Sequence, residues 1–373
     1  MTDAIRLAQD LIAAPSVTPA TGAVFDILES ALRPLGFEVD RFVAGEAPDG
    51  PVENLFATRA GSGEGRHLAF AGHLDVVPPG LGWASDPFTP EIRGNLLYGR
   101  GAVDMKSSIA AFVAAVPKEQ DGRISLIITG DEEGPAVHGT VALIDHIKTR
   151  NLIPDLCVVG EPTSVNRLGD MMKIGRRGSV NIWINVPGVQ GHVAYPHMAD
   201  NPIPRLVRIL SQIDAILLDD GTDWFQPSNI EVTDIEVGNP ATNVIPPLAR
   251  ARLSIRFNSL HTGQDLVDRI SEIVRAEIPE GEVIARISGE AFVTLPGELS
   301  DLVAGSVEKV VGIRPELSTT GGTSDARFLS QICPVVEFGL CNATMHKLDE
   351  AVALDDIREL TKIYAEIIAR ASE

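Results

Sequence analysis

Residues 124–160 of the chain read ISLIITGDEEGPAVHGTVALIDHIKTRNLIPDLCVVG. The runs 124–129 and 156–159 are short and apolar, whereas residues 141–149 carry apolar side chains at helical spacing. A strand, a helix and a strand in this order are typical of the crossover unit that joins two parallel strands. The stretch therefore predicts an α/β fold, in which a mostly parallel sheet is buried between helices.

The same alternation of helices and strands extends outward from this stretch. On the N-terminal side, helical periodicity or short apolar runs cover residues 5–13, 24–35, 55–58, 67–71 and 105–117. On the C-terminal side, the pattern resumes near residue 300 and covers a glycine turn at 320–324, a strand at 335–338 and a helix from 355. We therefore expect residues 1–177 and 291–373 to form one discontinuous domain, whose mixed, mostly parallel sheet is flanked by helices.

Residues 178–290 show a different pattern, in which half-exposed strands alternate with two helices. The predicted strands cover residues 179–186, 230–237, 251–257 and 283–287. The predicted helices cover residues 203–217 and 264–278. This order predicts an inserted α+β domain, with two helices on a four-stranded antiparallel sheet.

Composition narrows the class of protein. The 373 residues include 51 acidic and 31 basic side chains, and the net charge of −20 argues against binding to nucleic-acid phosphates. Three cysteines are too few for a disulfide framework, and the longest uncharged apolar run, residues 107–117, is too short to cross a bilayer. The N-terminus lacks the basic start and apolar run of a signal peptide. We expect a cytoplasmic protein with no nucleic-acid or membrane partner.

Histidines and carboxylates collect where predicted strands end. His73 ends an apolar run, and Asp75 shares its face in extended chain, so the carboxylate could orient the imidazole. Asp104 precedes a predicted helix, where an ordinary N-cap is the alternative explanation. The remaining members of the set are Glu132, Glu133, Glu161 and His346. Each of these residues has an ordinary structural explanation when it is taken alone.

The common position of these residues favours a metal centre. The carboxyl ends of parallel strands meet at one rim of an α/β sheet, where such sheets bind their ligands. Two imidazoles and at least three carboxylates without thiolates suit hydrolytic zinc, or less readily cobalt or manganese. Five ligands exceed the number that one catalytic zinc ion uses, so the set indicates two metal ions that share a carboxylate.

Several segments resemble the co-catalytic zinc aminoacylase and carboxypeptidase family. They are GHLDVVPPG at residues 72–80, YGRGAVDMKSSIAAF at 98–112, GDEEG at 130–134, GEPT at 160–163 and the late His346. Ser107 departs from the family pattern, because many relatives have glycine there. Further segments resemble the branch of this family that acts on N-succinyl amino acids, namely KIGRRGS at 173–179, GVQGHVAYPHMADNP at 188–202, ATNVIP at 241–246, TTGGTSDARF at 319–328 and CNATMHKLDE at 341–350.

The resemblance implies a function for each matching residue at the rim. The implied metal ligands are His73 and Glu161 for one zinc ion, Glu133 and His346 for the other, and Asp104 as the bridge between them. Asp75 would orient His73, and Glu132 would be the general base. The resemblance thus implies two Zn²⁺ ions per subunit, for which Co²⁺ could substitute.

The resemblance also implies a homodimer, in which the inserted domain serves as a dimerisation and lid domain. His192 would reach the oxyanion in the partner subunit's site, with Asn243 beside it, although an ordinary turn histidine is the alternative. Arg176 and Arg256 would bind substrate carboxylates, for which a solvated strand residue is the alternative. The other implied substrate-binding residues are Ser179, Tyr195, Gly322, Thr323 and Asn342.

The resemblance therefore predicts a small-molecule N-succinyl amino acid as substrate. We expect hydrolysis of N-succinyl-L,L-2,6-diaminopimelate to succinate and L,L-2,6-diaminopimelate, in lysine and diaminopimelate synthesis. A related enzyme with the same metal centre, such as an acetylornithine deacetylase or a zinc carboxypeptidase, is the nearest alternative. An alternative from another class is a non-catalytic binding protein on the same fold, which would be expected to lack a ligand or the base.

Overall fold

A computed structural model of the protein describes residues 2–372 and divides the chain into two compact units. The first unit comprises the described residues up to Ile174, the segment Thr294–Ser318 and the residues from Ser324 onward. The second unit comprises Gly175–Val293 and the short turn Thr319–Thr323.

Helices and strands alternate along most of the chain. The helices are α1 (Ala4–Ala13), α2 (Ala23–Leu32), α3 (Lys106–Ala115), α4 (Thr140–Thr149), α5 (Pro202–Asp214), α6 (Gly263–Glu277), α7 (Glu298–Val311), α8 (Ala326–Leu329) and α9 (Leu354–Ala371). The first strands are β1 (Glu38–Ala44), β2 (Val52–Ala60), β3 (His67–His73), β4 (Glu91–Arg93), β5 (Leu96–Tyr98), β6 (Arg123–Thr129), β7 (Leu156–Val159), β8 (Met171–Lys173) and β9 (Gly175–Arg176). The remaining strands are β10 (Gly178–Pro187), β11 (Gly191–His192), β12 (Asn229–Glu236), β13 (Val244–Ile245), β14 (Leu248–Phe257), β15 (Glu282–Gly289), β16 (Phe292–Val293), β17 (Glu316–Ser318), β18 (Val335–Glu337) and β19 (Ala351–Ala353).

An eight-stranded mixed sheet forms the centre of the first unit, in the order β1-β2-β6-β3-β7-β18-β8-β17. Strand β3 is parallel to both β6 and β7, and β7 is parallel to β18. The antiparallel pairs are β1 with β2, β2 with β6, and β8 with β18. Because β3, β6 and β7 run parallel and side by side, the residues that follow them emerge at one rim of the sheet.

Apolar helix faces cover this sheet, and α3 packs between α1 and α9. An aromatic cluster marks the contact, since the rings of Phe70 on β3 and Phe112 on α3 stack with 4.3 Å between centroids. Tyr364 on α9 packs edge-on against both rings and donates its hydroxyl to the Phe338 carbonyl at 2.8 Å. The strands that lead to the rim are therefore held in a closely packed and mostly buried core.

A small three-stranded sheet, in the order β19-β5-β4, joins two distant parts of the first unit. Ala351 is paired with Tyr98 and Ala353 with Leu96, so the chain just before α9 lies beside the chain that leads to α3. The loops on either side of this sheet carry Asp104 and His346.

The second unit contains a four-stranded antiparallel sheet in the order β12-β14-β10-β15, with α5 and α6 packed against it. Alternate residues such as Ile182, Ile184 and Leu253 are buried against these helices, while Trp183 between them stays 37% exposed. The fold class predicted from the sequence is confirmed, with its mostly parallel mixed sheet and its separate antiparallel sheet carrying two helices. Within residues 2–372, no helix is both long and apolar enough to span a membrane.

Candidate metal centre

His73 is the last residue of β3 and is buried at the rim of the central sheet. Its Nε2 lies 3.0 Å from Oδ1 of Asp104 and 3.8 Å from Oε1 of Glu161. Its Nδ1 lies 2.9 Å from the backbone carbonyl oxygen of Asp75 and 3.6 Å from that residue's carboxylate. The imidazole is thus fixed on one side and faces two carboxylates on the other.

Asp104 lies between the two histidines predicted for the centre. While its Oδ1 contacts His73, its Oδ2 lies 3.3 Å from Nε2 of His346. The same His346 nitrogen lies 2.9 Å from Oε1 of Glu133. Asp104 does not act as a helix cap, because α3 has Met105 at its N-cap and no side-chain hydrogen bond there. The carboxylate is therefore available to the two imidazoles.

Two overlapping groups of donor atoms could hold metal ions. The atoms of each group lie within 4.8 Å of one another, and the groups are His73 with Asp104 and Glu133, and His73 with Glu132 and Glu161. His346 adjoins the first group through its contacts with Glu133 and Asp104. All the residues that the sequence predicted for the rim are thus brought together in the first unit.

The two adjacent glutamates after β6 have different partners. Glu133 contacts His346, whereas Glu132 is grouped with His73 and Glu161 on the other side. Burial, reinforced by the nearby charge of Glu161, raises the pKa of Glu132 well above its ordinary value. A carboxylate with a raised pKa is better suited to accept and return a proton near neutral pH.

Asp75 holds the turn that carries these glutamates. Its buried carboxylate accepts hydrogen bonds from the backbone N–H of Glu132 at 3.2 Å and of Glu133 at 2.9 Å. The sequence predicted that this carboxylate receives the His73 imidazole, but the nearer partner of that ring is the Asp75 carbonyl oxygen. The backbone of Asp75 thus orients the imidazole, and its side chain orients the acidic turn.

The electrostatics of the cluster fit a bound cation. Burial alone would raise the pKa of Asp104, but hydrogen bonds from His346 and His73 hold that pKa well below its ordinary value. Hydrogen bonds to Asp104 and Glu133 raise the pKa of His346 to about 10. The carboxylates therefore stabilise positive charge here strongly, and imidazole nitrogens with carboxylate oxygens are a donor set that zinc accepts.

The loop that carries His346 has an uncommon backbone. His346 has a φ of +60°, in the left-handed region that residues with side chains seldom adopt, and its side chain remains 44% exposed. Asn342 starts the same loop, and its backbone N–H donates to the Ser164 carbonyl at 2.9 Å. The second histidine therefore faces the cluster from an exposed loop, unlike the buried His73.

In the second unit, the arginines expected to bind carboxylates occupy distinct surroundings. Buried Arg176 on β9 donates to the Thr320 carbonyl at 3.3 Å, and a side chain at Gly321 would collide with its guanidinium. Position 321 therefore requires glycine, because a side chain would collide there and because φ is +110°. Arg256 on β14 donates to the hydroxyls of Ser254, at 3.1 Å, and Ser179, which lies directly opposite it on β10.

Gly322 and Thr323 continue the same turn, and no atom lies within 4 Å of the position that a Gly322 side chain would take. His192, Tyr195 and Asn243 form a separate group, because β11 pairs His192 with Val244, the residue after Asn243. The centroids of the His192 and Tyr195 rings lie 5.8 Å apart.

Comparison with known proteins identifies the family. The sequence signature of Peptidase family M20/M25/M40 matches residues 69–370. The chain belongs to this family. The resemblance drawn from the motifs is therefore confirmed.

Members of the M20/M25/M40 family similar to this chain include two named succinyl-diaminopimelate desuccinylase. The protein of Sphingopyxis alaskensis is 69% identical over 370 residues, which cover 99% of this chain and 98% of the relative. The protein of Novosphingobium aromaticivorans is 67% identical over 371 residues, which cover 99% of this chain and 98% of the relative. A solved tripeptidase structure from Staphylococcus aureus has a TM-score of 0.81 at 19% identity and covers 100% of this chain and 99% of its own, which shows a shared fold.

Two acidic residues within the family's motifs were not assigned from the sequence. Asp325 is buried and accepts a 2.6 Å hydrogen bond from the Thr140 hydroxyl, and Glu350 is buried beside the loop of Asp104. Both stand in segments quoted for the resemblance, TTGGTSDARF and CNATMHKLDE. The sequence shows that both carboxylates lie within motifs, which is the signal that could have marked them. It does not show which loop each carboxylate contacts, because that depends on the fold.

Proposed function

We propose that the chain hydrolyses N-succinyl-L,L-2,6-diaminopimelate to succinate and L,L-2,6-diaminopimelate, a step of lysine and diaminopimelate synthesis. The observation that carries this proposal is the complete cluster around His73, with Glu132 beside five candidate ligands. It occurs in a chain that is 69% identical over nearly its full length to a protein named for this reaction. A biosynthetic step of this kind supports a cytoplasmic location.

We propose that the cluster binds two zinc ions, for which cobalt could substitute. His73 and Glu161 would hold one ion and Glu133 and His346 the other, with Asp104, which contacts both imidazoles, between them. When bound, zinc polarises an amide carbonyl and makes water a better nucleophile at neutral pH.

Glu132 is proposed to carry the proton in this reaction. Its carboxylate would take the proton from the attacking water and return it to the nitrogen of the leaving diaminopimelate. The raised pKa of Glu132 and its position among His73 and Glu161 support this function. The amides of the acidic turn, bound by Asp75, would hold Glu132 in place during both transfers.

The second unit is proposed to provide cations for the substrate's carboxylates. Among the described residues, Arg256 contacts only hydroxyl and carbonyl oxygens and pairs with no carboxylate. A partly buried guanidinium without an acidic partner suits a carboxylate ligand. By resemblance to the family, we also propose that Arg176 binds a substrate carboxylate and that Ser179, Tyr195, Gly322, Thr323 and Asn342 bind substrate.

We further propose that the protein is a homodimer. Residues 1–177 and 291–373 would form its catalytic domain, and residues 178–290 its dimerisation and lid domain. His192 and Asn243 would act in the partner subunit's site, with His192 directed at the oxyanion. Their common position near β11 and β13 supports a joint function.

Turnover of three substrates by the zinc-loaded protein tests the proposed reaction. We expect kcat/KM for N-succinyl-L,L-2,6-diaminopimelate to exceed that for N-acetylornithine or a simple dipeptide by about a hundredfold or more, because both lack the succinyl carboxylate and so offer the arginines fewer carboxylates to bind. A preference for N-acetylornithine would contradict the substrate assignment. Absence of turnover with all three substrates, with metal bound, would favour a binding protein.

A further inference from the structure

Glu350, the last residue before β19, is fully buried, with 0% exposure. Its Oε1 accepts hydrogen bonds from the backbone N–H of Val103 at 2.7 Å and of Asp104 at 3.1 Å. Its Oε2 accepts one from the N–H of Gly101 at 3.2 Å and forms an ion pair of 2.6 Å with Nη1 of Arg100. Four donors on the loop before α3 thus converge on one carboxylate.

The backbone around Glu350 joins this loop to the loop of His346. The Glu350 carbonyl accepts a 3.0 Å hydrogen bond from Gly99, and the next residue, Ala351, is paired with Tyr98. Ala351 is also held by Thr344, whose hydroxyl donates to the Ala351 carbonyl at 2.9 Å and accepts from its N–H at 3.1 Å. Glu350 therefore stands where the two ligand-bearing loops meet.

We propose that Glu350, paired with Arg100, is a positioning residue for the metal centre. It sets the place of Asp104 relative to His346 by binding the backbone amides of Val103 and Asp104. Among the described residues, its carboxylate forms no hydrogen bond or ion pair with His346 or with the side chain of Asp104, and its hydrogen bonds go to the loop that carries Asp104. This inference rests on the proposed two-metal centre and gives Glu350 a function within it.

The number of donors explains why a carboxylate is required at position 350. A glutamine has one acceptor oxygen, and its NH₂ group would point toward donors that it cannot satisfy. Arg100 is only 2% exposed, so loss of the negative charge would leave a buried guanidinium without its ion pair. The loop would shift to relieve these contacts, and the oxygens of Asp104 would leave their places between the imidazoles.

Metal binding tests this function directly. Metal-free wild-type protein and the variant Glu350→Gln would be titrated with Co²⁺, followed by calorimetry and by the visible absorption of bound cobalt. We expect the wild type to bind two equivalents and E350Q to bind at least one of them about 10–100-fold more weakly, with an altered absorption band. The spectrum reports ligand geometry, which a loss of stability alone would not change in folded protein.

Asp219→Asn is the matched control, because Asp219 is also a carboxylate that holds a loop through several hydrogen bonds. It accepts from Gly221 and Asn258 in the second unit, which contains none of the five ligands. We expect D219N to bind Co²⁺ like the wild type. If E350Q does not fold, Glu350→Asp gives the same test, because it keeps the charge but is too short to reach all four donors.

The outcomes separate the two proposals. Wild-type affinity and spectrum for both equivalents in E350Q, or in E350D where that variant is used, would overturn the positioning function alone. A wild-type protein that does not bind two Co²⁺ ions would overturn the two-metal centre and, with it, this inference. Weakened binding in the Glu350 variant but not in D219N would support both.

Discussion

At the scale of single residues, Glu132 and Glu133 are neighbours that we expect to behave differently. Because Glu132 is proposed to carry the proton and not to bind metal, Glu132→Gln should lower kcat by roughly 10²–10⁴-fold while zinc content stays unchanged. Glu133 contacts His346, so Glu133→Gln should lose bound zinc as well as activity. Steady-state kinetics with metal analysis of both variants checks this. An E132Q variant with wild-type kcat would remove Glu132 as the base.

Arg256 offers a second comparison between related residues. Arg250 lies six positions earlier on β14, hence on the same face, but it is 53% exposed and has a carboxylate, Glu236, at 3.8 Å. Arg256→Gln should raise KM for the succinylated substrate roughly 10–100-fold, because a charged hydrogen bond is worth about 1.5–3 kcal/mol. Arg250→Gln should leave KM within about twofold. Equal effects of the two substitutions would contradict the assignment of Arg256.

At the scale of an element, the loop between α5 and β12 depends on Asp219. Burial alone would raise the pKa of this carboxyl, but hydrogen bonds from Ser228, Gly221 and Asn258 hold the pKa below its ordinary value. A carboxyl with a depressed folded-state pKa contributes stability above its unfolded-state pKa of about 3.9, and this contribution is lost as the pH falls further. Asp219→Asn should therefore lower the free energy of unfolding by about 2 kcal/mol at pH 7 and by less at pH 3.

Urea unfolding at the two pH values, followed by tryptophan fluorescence, measures this difference. Trp183 and Trp224 both lie in the second unit, so the signal reports largely on that unit. An equal loss of stability in D219N at pH 7 and pH 3 would show that the charge of Asp219 does not contribute.

Elements were predictable from the sequence to different degrees. Strands β6 and β7 and helix α4 were predictable because their apolar runs report local burial, and the acidic turn after β6 could be placed at the rim for the same reason. The short strands β5 and β19 carry no comparable pattern, although residues 96–98 and 351–353 pair. Their pairing depends on the path of some 250 intervening residues, and the position of Glu350 beside the loop of Asp104 follows from that pairing.

At the scale of the whole molecule, most of the second unit is one continuous segment whose two ends lie next to each other. Gly175 is paired with Val293 in the antiparallel pair of β9 and β16, and only the short turn Thr319–Thr323 of this unit lies elsewhere in the chain. The unit also has its own core, in which the buried faces of β10 and β14 pack against α5 and α6. A segment of about 120 residues with adjacent ends and a separate core meets the usual conditions for an independent domain.

We therefore expect residues 175–293 to fold when expressed alone. The isolated segment should show the circular dichroism of a mixed α/β structure and a single cooperative transition in urea, because its buried apolar residues contact one another. Leu253→Ala should lower the free energy of unfolding by about 2–5 kcal/mol, since it removes buried volume. Arg252→Ala, one position away on the opposite face of β14, should change it by less than about 1 kcal/mol. A spectrum of unfolded chain, or equal effects of the two substitutions, would show that this core needs the rest of the molecule.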